Sequence, residues 1–273
     1  MADWLSGRLL QPVIIDNKPG ASGNLAVHEA IKSAPDGHTL LLVPASAIVN
    51  RALFAKLPFD VLVDVAPVSG LVEFALVLLI NPSIRADNLE EFIAYANANP
   101  GTLNLASFGS GTTSHLAGEL FQMMTGTKMT HIPYPGEAAA FTDLISGRVH
   151  VMFAVLTTSL SHIRAGTLKP LAMAGRRRHP LLPDLPTIAE TISGYDANSW
   201  LGVGVPKETN NEVVAFLNRE INLGLIDPEM KARFANLAIT PILFTPEEFG
   251  HYMAAEAAKW AQVVSQVGLF ESR

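Results

Sequence analysis

The run Leu103-Asn104-Leu105-Ala106-Ser107-Phe108-Gly109-Ser110-Gly111-Thr112-Thr113-Ser114-His115 decides the fold. Leu103–Ser107 is short and apolar and reads as a strand, and Leu116–Thr125 after it has helical spacing. A strand turning directly into a helix is half of a βαβ unit. The turn also carries chemistry. The first N–H groups of a helix lack intrahelical partners, and with the positive end of the helix dipole and nearby hydroxyls they suit a carboxylate or phosphate. Gly109 and Gly111 let the backbone approach a ligand because no Cβ intervenes. The same residues fit an ordinary N-capping turn, and spacing alone does not separate the two.

Outward from this turn the pattern repeats. Val13–Asp16, Thr39–Val43, Met129–Tyr134, Val149–Phe153 and Leu168–Ala174 read as strands. Asn24–Ser33, Asn88–Asn97 and Glu137–Ser146 read as helices. This alternation predicts class α/β with mostly parallel sheets covered on both faces. The C-terminal part is almost all helix, with one apolar run at Ile239–Leu243. Its last helix, about Pro246–Gln266, places Phe249, Met253, Ala257, Trp260 and Val264 on one core-facing stripe. Asp87 with Glu90, Thr209 with Glu212 and Thr245 with Glu248 have capping-box spacing, and Pro228 and Pro246 suit first-turn positions.

Val65–Asn81 and Asn198–Pro206 are apolar and extended, without helical periodicity. Read as paired crossings, they predict a discontinuous first lobe (1–76 and 203–273), a central second lobe (77–202) and a hinge about a cleft. One large single sheet is the alternative.

Composition narrows the function. At 273 residues, 49% apolar and 16% charged, the chain reads as a globular protein of roughly two domains. The longest apolar stretch, Leu71–Ile80, is interrupted by Glu73 and is far short of the roughly 20 residues of a spanning helix. A net charge of −6 argues against a nucleic-acid partner, and Arg176-Arg177-Arg178-His179 reads as a solvated loop. Cysteine is absent, which removes disulfides, thiol catalysis and Cys-based metal sites. The eight histidines show no metal-ligand spacing, so no metal is expected. No dinucleotide or Walker fingerprint is present, so no cofactor is expected either. Gly20-Ala21-Ser22-Gly23-Asn24 fits a tight turn better than a phosphate loop.

Ser114-His115, with Ser110 nearby, raises the alternative of a Ser/His hydrolase. There is no Gly-x-Ser-x-Gly elbow, and no acidic orienter follows at a recognisable spacing. His115 is instead expected to cap the helix or donate to a ligand or loop carbonyl. Two further loops are expected at strand ends: Pro44-Ala45-Ser46-Ala47, and Pro133-Tyr134-Pro135-Gly136. Ligands of open α/β sheets bind outside the carboxyl ends of strands. Ser46, Tyr134 and Gly136 therefore join Ser107, Gly109, Ser110, Gly111, Thr112, Thr113 and His115 as candidate ligand contacts.

A family resemblance runs along most of the chain. It is carried by Asp16–Asn24, Ala34–Leu41, Lys56–Asp60, Asn99–Asn104, Gly109–Phe121, His131–Tyr134, Leu182–Thr187 and Ser199-Trp200. These motifs resemble the Bug-type periplasmic solute-binding proteins of tripartite tricarboxylate transporters. The resemblance implies a two-lobed Venus-flytrap fold of the type II periplasmic-binding class. It implies no catalysis, a monomer, a periplasmic location, a small organic acid as ligand and a membrane permease of that transporter type as partner. One carboxylate would be gripped by backbone and hydroxyl groups, with 107–115 as the second lobe's loop. Val151-Met152-Phe153-Ala154 aligns a further contact, Ala154, where many relatives carry Asp, which disfavours amino acid ligands. The resemblance also implies that the first strand of lobe one, with a signal peptide before it and a Pro/Gly-rich loop after it, is missing. As written, Met1–Leu10 shows no secretory signal. A degenerate, non-binding remnant is a further alternative.

Overall fold

A computed structural model describes residues 1–20, 23–54 and 56–269. Two compact units result: residues 1–73 with those from 200 onward, and residues 74–199.

The first unit opens with α1 (Ala2–Leu9) and α2 (Asn24–Ile31), then β1 (Leu41–Pro44), α3 (Ala45–Leu53), α4 (Val61–Asp64) and β2 (Val65–Phe74). The second unit holds β3 (Leu76–Ile80), α5 (Leu89–Ala98), β4 (Asn104–Ser107), α6 (Thr113–Thr125) and β5 (Thr130–Pro133). It continues with α7 (Glu137–Ser146), β6 (Val151–Val155), α8 (Leu156–Arg164), β7 (Lys169–Met173) and α9 (Ile188–Thr191). The chain then completes the first unit with β8 (Ser199–Pro206), α10 (Asn211–Ile226), α11 (Pro228–Asn236), β9 (Ile239–Pro241) and α12 (Pro246–Val267).

The first unit's sheet has the order β1-β8-β2-β9, with β1 antiparallel to β8. The stripe Phe249, Met253, Ala257, Trp260 and Val264 is buried as its spacing requires. Phe249, Met253 and Ala257 meet Ile48 of α3, Val43 of β1 and Trp200 of β8 in one core. Thr245 and Glu248 form the expected capping box, and Pro228 and Pro246 sit in first turns.

The second unit's sheet has the order β5-β4-β6-β3-β7. β4 is parallel to β5 and β6, while β3 is antiparallel to both β6 and β7. The α/β class holds, but the sheets are mixed rather than mostly parallel. The cause lies in Val65–Asn81, whose extended reading is correct but which supplies strands to the sheets.

Other differences are local. Val13–Asp16 forms no strand, and Ile14 and Ile15 are 82% and 69% exposed. Apolar β-branched residues become a strand only where a neighbour pairs the backbone and covers a face. The cap of α5 is Asn88, which accepts the Glu91 N–H, in place of Asp87 with Glu90. Thr209 donates to Pro206 O at 2.7 Å, so Asn210 caps α10. A capping box at Thr187 and Glu190 was not read from the sequence. The turn at Gly20–Asn24 includes Ala21 and Ser22, which lie outside the described residues; Gly23, at φ 88°, is the N-cap of α2.

Candidate functional site

β4 and β5 run parallel with Ser107 opposite Pro133, and Tyr134 N–H donates to Ser107 O at 2.9 Å. The loops after both strands, 108–112 and 134–136, are thereby brought to one end of the sheet. Segment 44–47 is in the other unit and is no loop: α3 starts at Ala45, placing Ser46, partly buried, in its first turn.

The loop after β4 is shaped by its glycines. Gly109 (φ 136°) and Gly111 (φ 73°) occupy backbone conformations that L side chains rarely adopt, and Ser110 between them is exposed. Thr112 is the N-cap of α6, yet its hydroxyl donates back to Gly109 O at 2.7 Å and caps nothing. The first helical backbone bond is Leu116 N–H to Thr112 O. The N–H groups of Thr113, Ser114 and His115 therefore precede the helical ladder with no side-chain cap, in residues that are all buried. A buried helix start without partners calls for one from outside, a water or an anion.

Beneath the loop lies a polar cluster. His115, 2% exposed, accepts the Gly111 N–H on Nδ1 at 3.1 Å, so its proton is on Nε2, which faces Glu119 Oε1 at 3.5 Å. Of the two roles expected for His115, capping the helix start or donating to a ligand or loop carbonyl, the contact seen is an acceptor one, to the N–H of Gly111 just ahead of α6. Glu119 also supplies the acidic neighbour that sequence reading missed; the i, i+4 spacing was the available signal. Ser107 is fully buried. Its hydroxyl donates to Gly109 O at 3.0 Å and accepts the Gly109 N–H at 3.2 Å. Ser107 Oγ and His131 Nε2 also share a hydrogen bond at 2.7 Å, whose direction follows the imidazole tautomer. Burial, reinforced by His115, holds His131 down at about 4, while Glu119 pulls the other way.

These contacts give no support to a Ser/His nucleophile. Ser114 is fully buried and donates to Phe153 O at 2.5 Å. Neither ring nitrogen of His115 faces a serine hydroxyl. Ser107 meets a histidine, but it is fully buried, whereas a nucleophile must reach its substrate.

The other expected contacts are placed as follows. The Tyr134 hydroxyl donates to Asp143 at 2.8 Å, and burial and that bond raise its pKa, so it is not a free ligand donor. Ala154 is fully buried in β6 opposite Val77 and offers no surface. Gly136 is extended, at φ 161°, and serves as the N-cap of α7. Among the described residues no group of three or more His, Asp or Glu is placed to hold a metal ion. No helix among them is long and apolar enough to cross a membrane.

The chain is similar throughout to known proteins. A family model described as tripartite tricarboxylate transporter family receptor matches residues 1–269. Protein BugT of Bordetella pertussis is 37% identical over 98% of this chain and 83% of its own length. Among solved structures, R. palustris Rpa4515 with adipate has TM-score 0.83 and 32% identity, covering 98% of this chain and 90% of that one. MatC from Rhodopseudomonas palustris with bound malate has TM-score 0.78 and 28% identity, covering 96% of this chain and 91% of that one.

Proposed function

From the premise that the chain belongs to the tripartite tricarboxylate transporter receptor family, we infer that it is a periplasmic receptor for a small carboxylate, which it hands to a membrane permease. The carboxylate is taken at the start of α6, by the N–H groups of Thr113, Ser114 and His115 with the Ser110 and Thr113 hydroxyls. No bond is made or broken, and function consists of holding and releasing the acid.

The observation that supports this most is the uncapped, buried first turn of α6. The net charge of −6 does not oppose it. At physiological salt the Debye length is about 8 Å, so distant charges are screened. Contacts to an anion at roughly 2.8 Å are not screened, and each is about twice as strong as a neutral hydrogen bond. The adipate and malate bound by two similar proteins support a small organic acid as the ligand.

Thermal melting with a carboxylate panel tests the reading. A ligand binding only the folded state at about 100 times its Kd adds about 2.7 kcal/mol and raises Tm. No rise with any di- or tricarboxylate, monocarboxylate or aromatic acid rejects it.

A further inference from the structure

Glu137 is the first residue of α7, but its carboxylate serves a different helix. Oε1 accepts the Val155 N–H at 2.7 Å and Oε2 accepts the Thr158 hydroxyl at 2.7 Å. Val155 is the N-cap of α8 and no side chain of α8 caps that end. An acid group of the chain itself therefore occupies the start of α8, where the helix dipole favours negative charge. The start of α6 is left open by contrast.

The two helix starts are tied to one strand. Ser114, in the first turn of α6, donates to Phe153 O, and two residues further along β6 the Val155 N–H goes to Glu137. Phe153 and Val155 lie about 7 Å apart along that strand. Both partners of the Glu137 carboxylate are neutral, so its charge remains for a bound ligand to meet.

We propose that Glu137 selects ligands by charge. The receptor accepts a molecule with one carboxylate, held at α6, and discriminates against one whose far end carries a second negative charge toward α8. This rests on the carboxylate-receptor reading. A second negative charge brought close to Glu137 at a partly exposed site is expected to produce discrimination on the order of ten-fold.

Adipate and its monoamide share length and shape and differ in charge at one end, so calorimetry with this pair isolates the effect. The wild-type chain is expected to bind the monoamide about ten-fold more tightly, with the ratio shrinking as salt is raised from about 0.01 M to about 1 M. Glu137→Gln can still accept from Val155 and donate to Thr158, and it is expected to bring the ratio close to one. Equal binding of the two ligands by wild type, a ratio unmoved by salt, or a ratio unmoved in Glu137→Gln overturns the proposal. The salt series needs no variant, so it decides even if the substituted chain folds poorly. If wild type binds neither these nor any other carboxylate, the receptor reading itself falls, and charge selection with it.

Discussion

The imidazole rings of His115 and His131 lie face to face, their centroids 3.6 Å apart and 11° from parallel. Each ring fixes part of the loop after β4, His115 through Gly111 N–H and His131 through Ser107, which in turn takes Gly109 N–H. Burial and the proximity of the second ring hold His131 at about 4. An unfolded histidine titrates near 6.5. Between those values the unfolded chain binds the extra proton, so stability rises with pH across the window. It is fully present above about 6.5 and is lost as pH falls through about 4. The ring is only partly buried, so solvent screening reduces the effect to about 1–2 kcal/mol. Melting curves between about pH 7 and about pH 4 should show this slope in wild type and a shallower one in His131→Phe. Identical slopes in the two proteins would remove His131 as the cause.

His115→Leu should damage the loop without touching its surface residues. It leaves the Gly111 N–H without its acceptor, a loss of about 1–3 kcal/mol when the group is buried. We expect a lower Tm and carboxylate binding weakened about ten-fold, since a loop free to turn Gly111 outward no longer presents the α6 start in one geometry. His115→Asn, whose Oδ1 can replace Nδ1 as acceptor, should recover most of both. Calorimetry showing His115→Leu to bind like wild type would detach the ring from ligand binding.

The reach of sequence reading can be judged from these same residues. The β4–turn–α6 unit was legible because apolar period, glycines and hydroxyls all lie within one local stretch. The α12 stripe was legible because helical period alone dictates it. Non-local pairings were not. His131 reaches Ser107 only through the β4–β5 register, and Glu137 reaches Val155 across 18 positions of sequence. Neither separation has a local signature. The α5 cap failed differently, because Asp87 and Asn88 are both good caps and the choice fell to the one whose partner is Glu91. Val13–Asp16 shows the limit of propensity, since strand-forming residues need a ladder partner that sequence cannot supply.

Glu256 is a buried acid whose role is structural. At 5% exposure it accepts the indole N–H of Trp260 at 2.9 Å and of Trp200 at 3.3 Å, and it meets Lys259 Nζ at 2.5 Å. Glu256→Leu strands both indoles in the core and should cost about 3–5 kcal/mol. Glu256→Gln can keep its oxygen on the indoles while Lys259 swings toward solvent, so about 1 kcal/mol is expected. Urea denaturation of the two variants distinguishes them. Equal losses would mean that the carboxylate charge, and not the acceptor for the indoles, is what the core requires.

Gly202 is required by shape rather than by backbone freedom. A Cβ there would lie 2.1 Å from Phe249 Cζ, and that ring is fully buried and packed edge-on against Trp200. Gly202 also pairs with Val43 in the β1–β8 ladder, so the strand cannot shift to make room without losing register. Gly202→Ala should therefore destabilise by about 1–3 kcal/mol through overpacking. Gly7→Ala is the matching control. Its Cβ meets nothing within 4 Å and it lies inside α1, so that change should be neutral or gain up to about 1 kcal/mol. If the clash is with the ring, shortening the ring relieves it. Phe249→Leu will itself lose packing, but Gly202→Ala combined with Phe249→Leu should lose less than the sum of the two single changes, by about 0.5–3 kcal/mol. Strict additivity in that double-mutant cycle would place the cost of the methyl group somewhere other than Phe249.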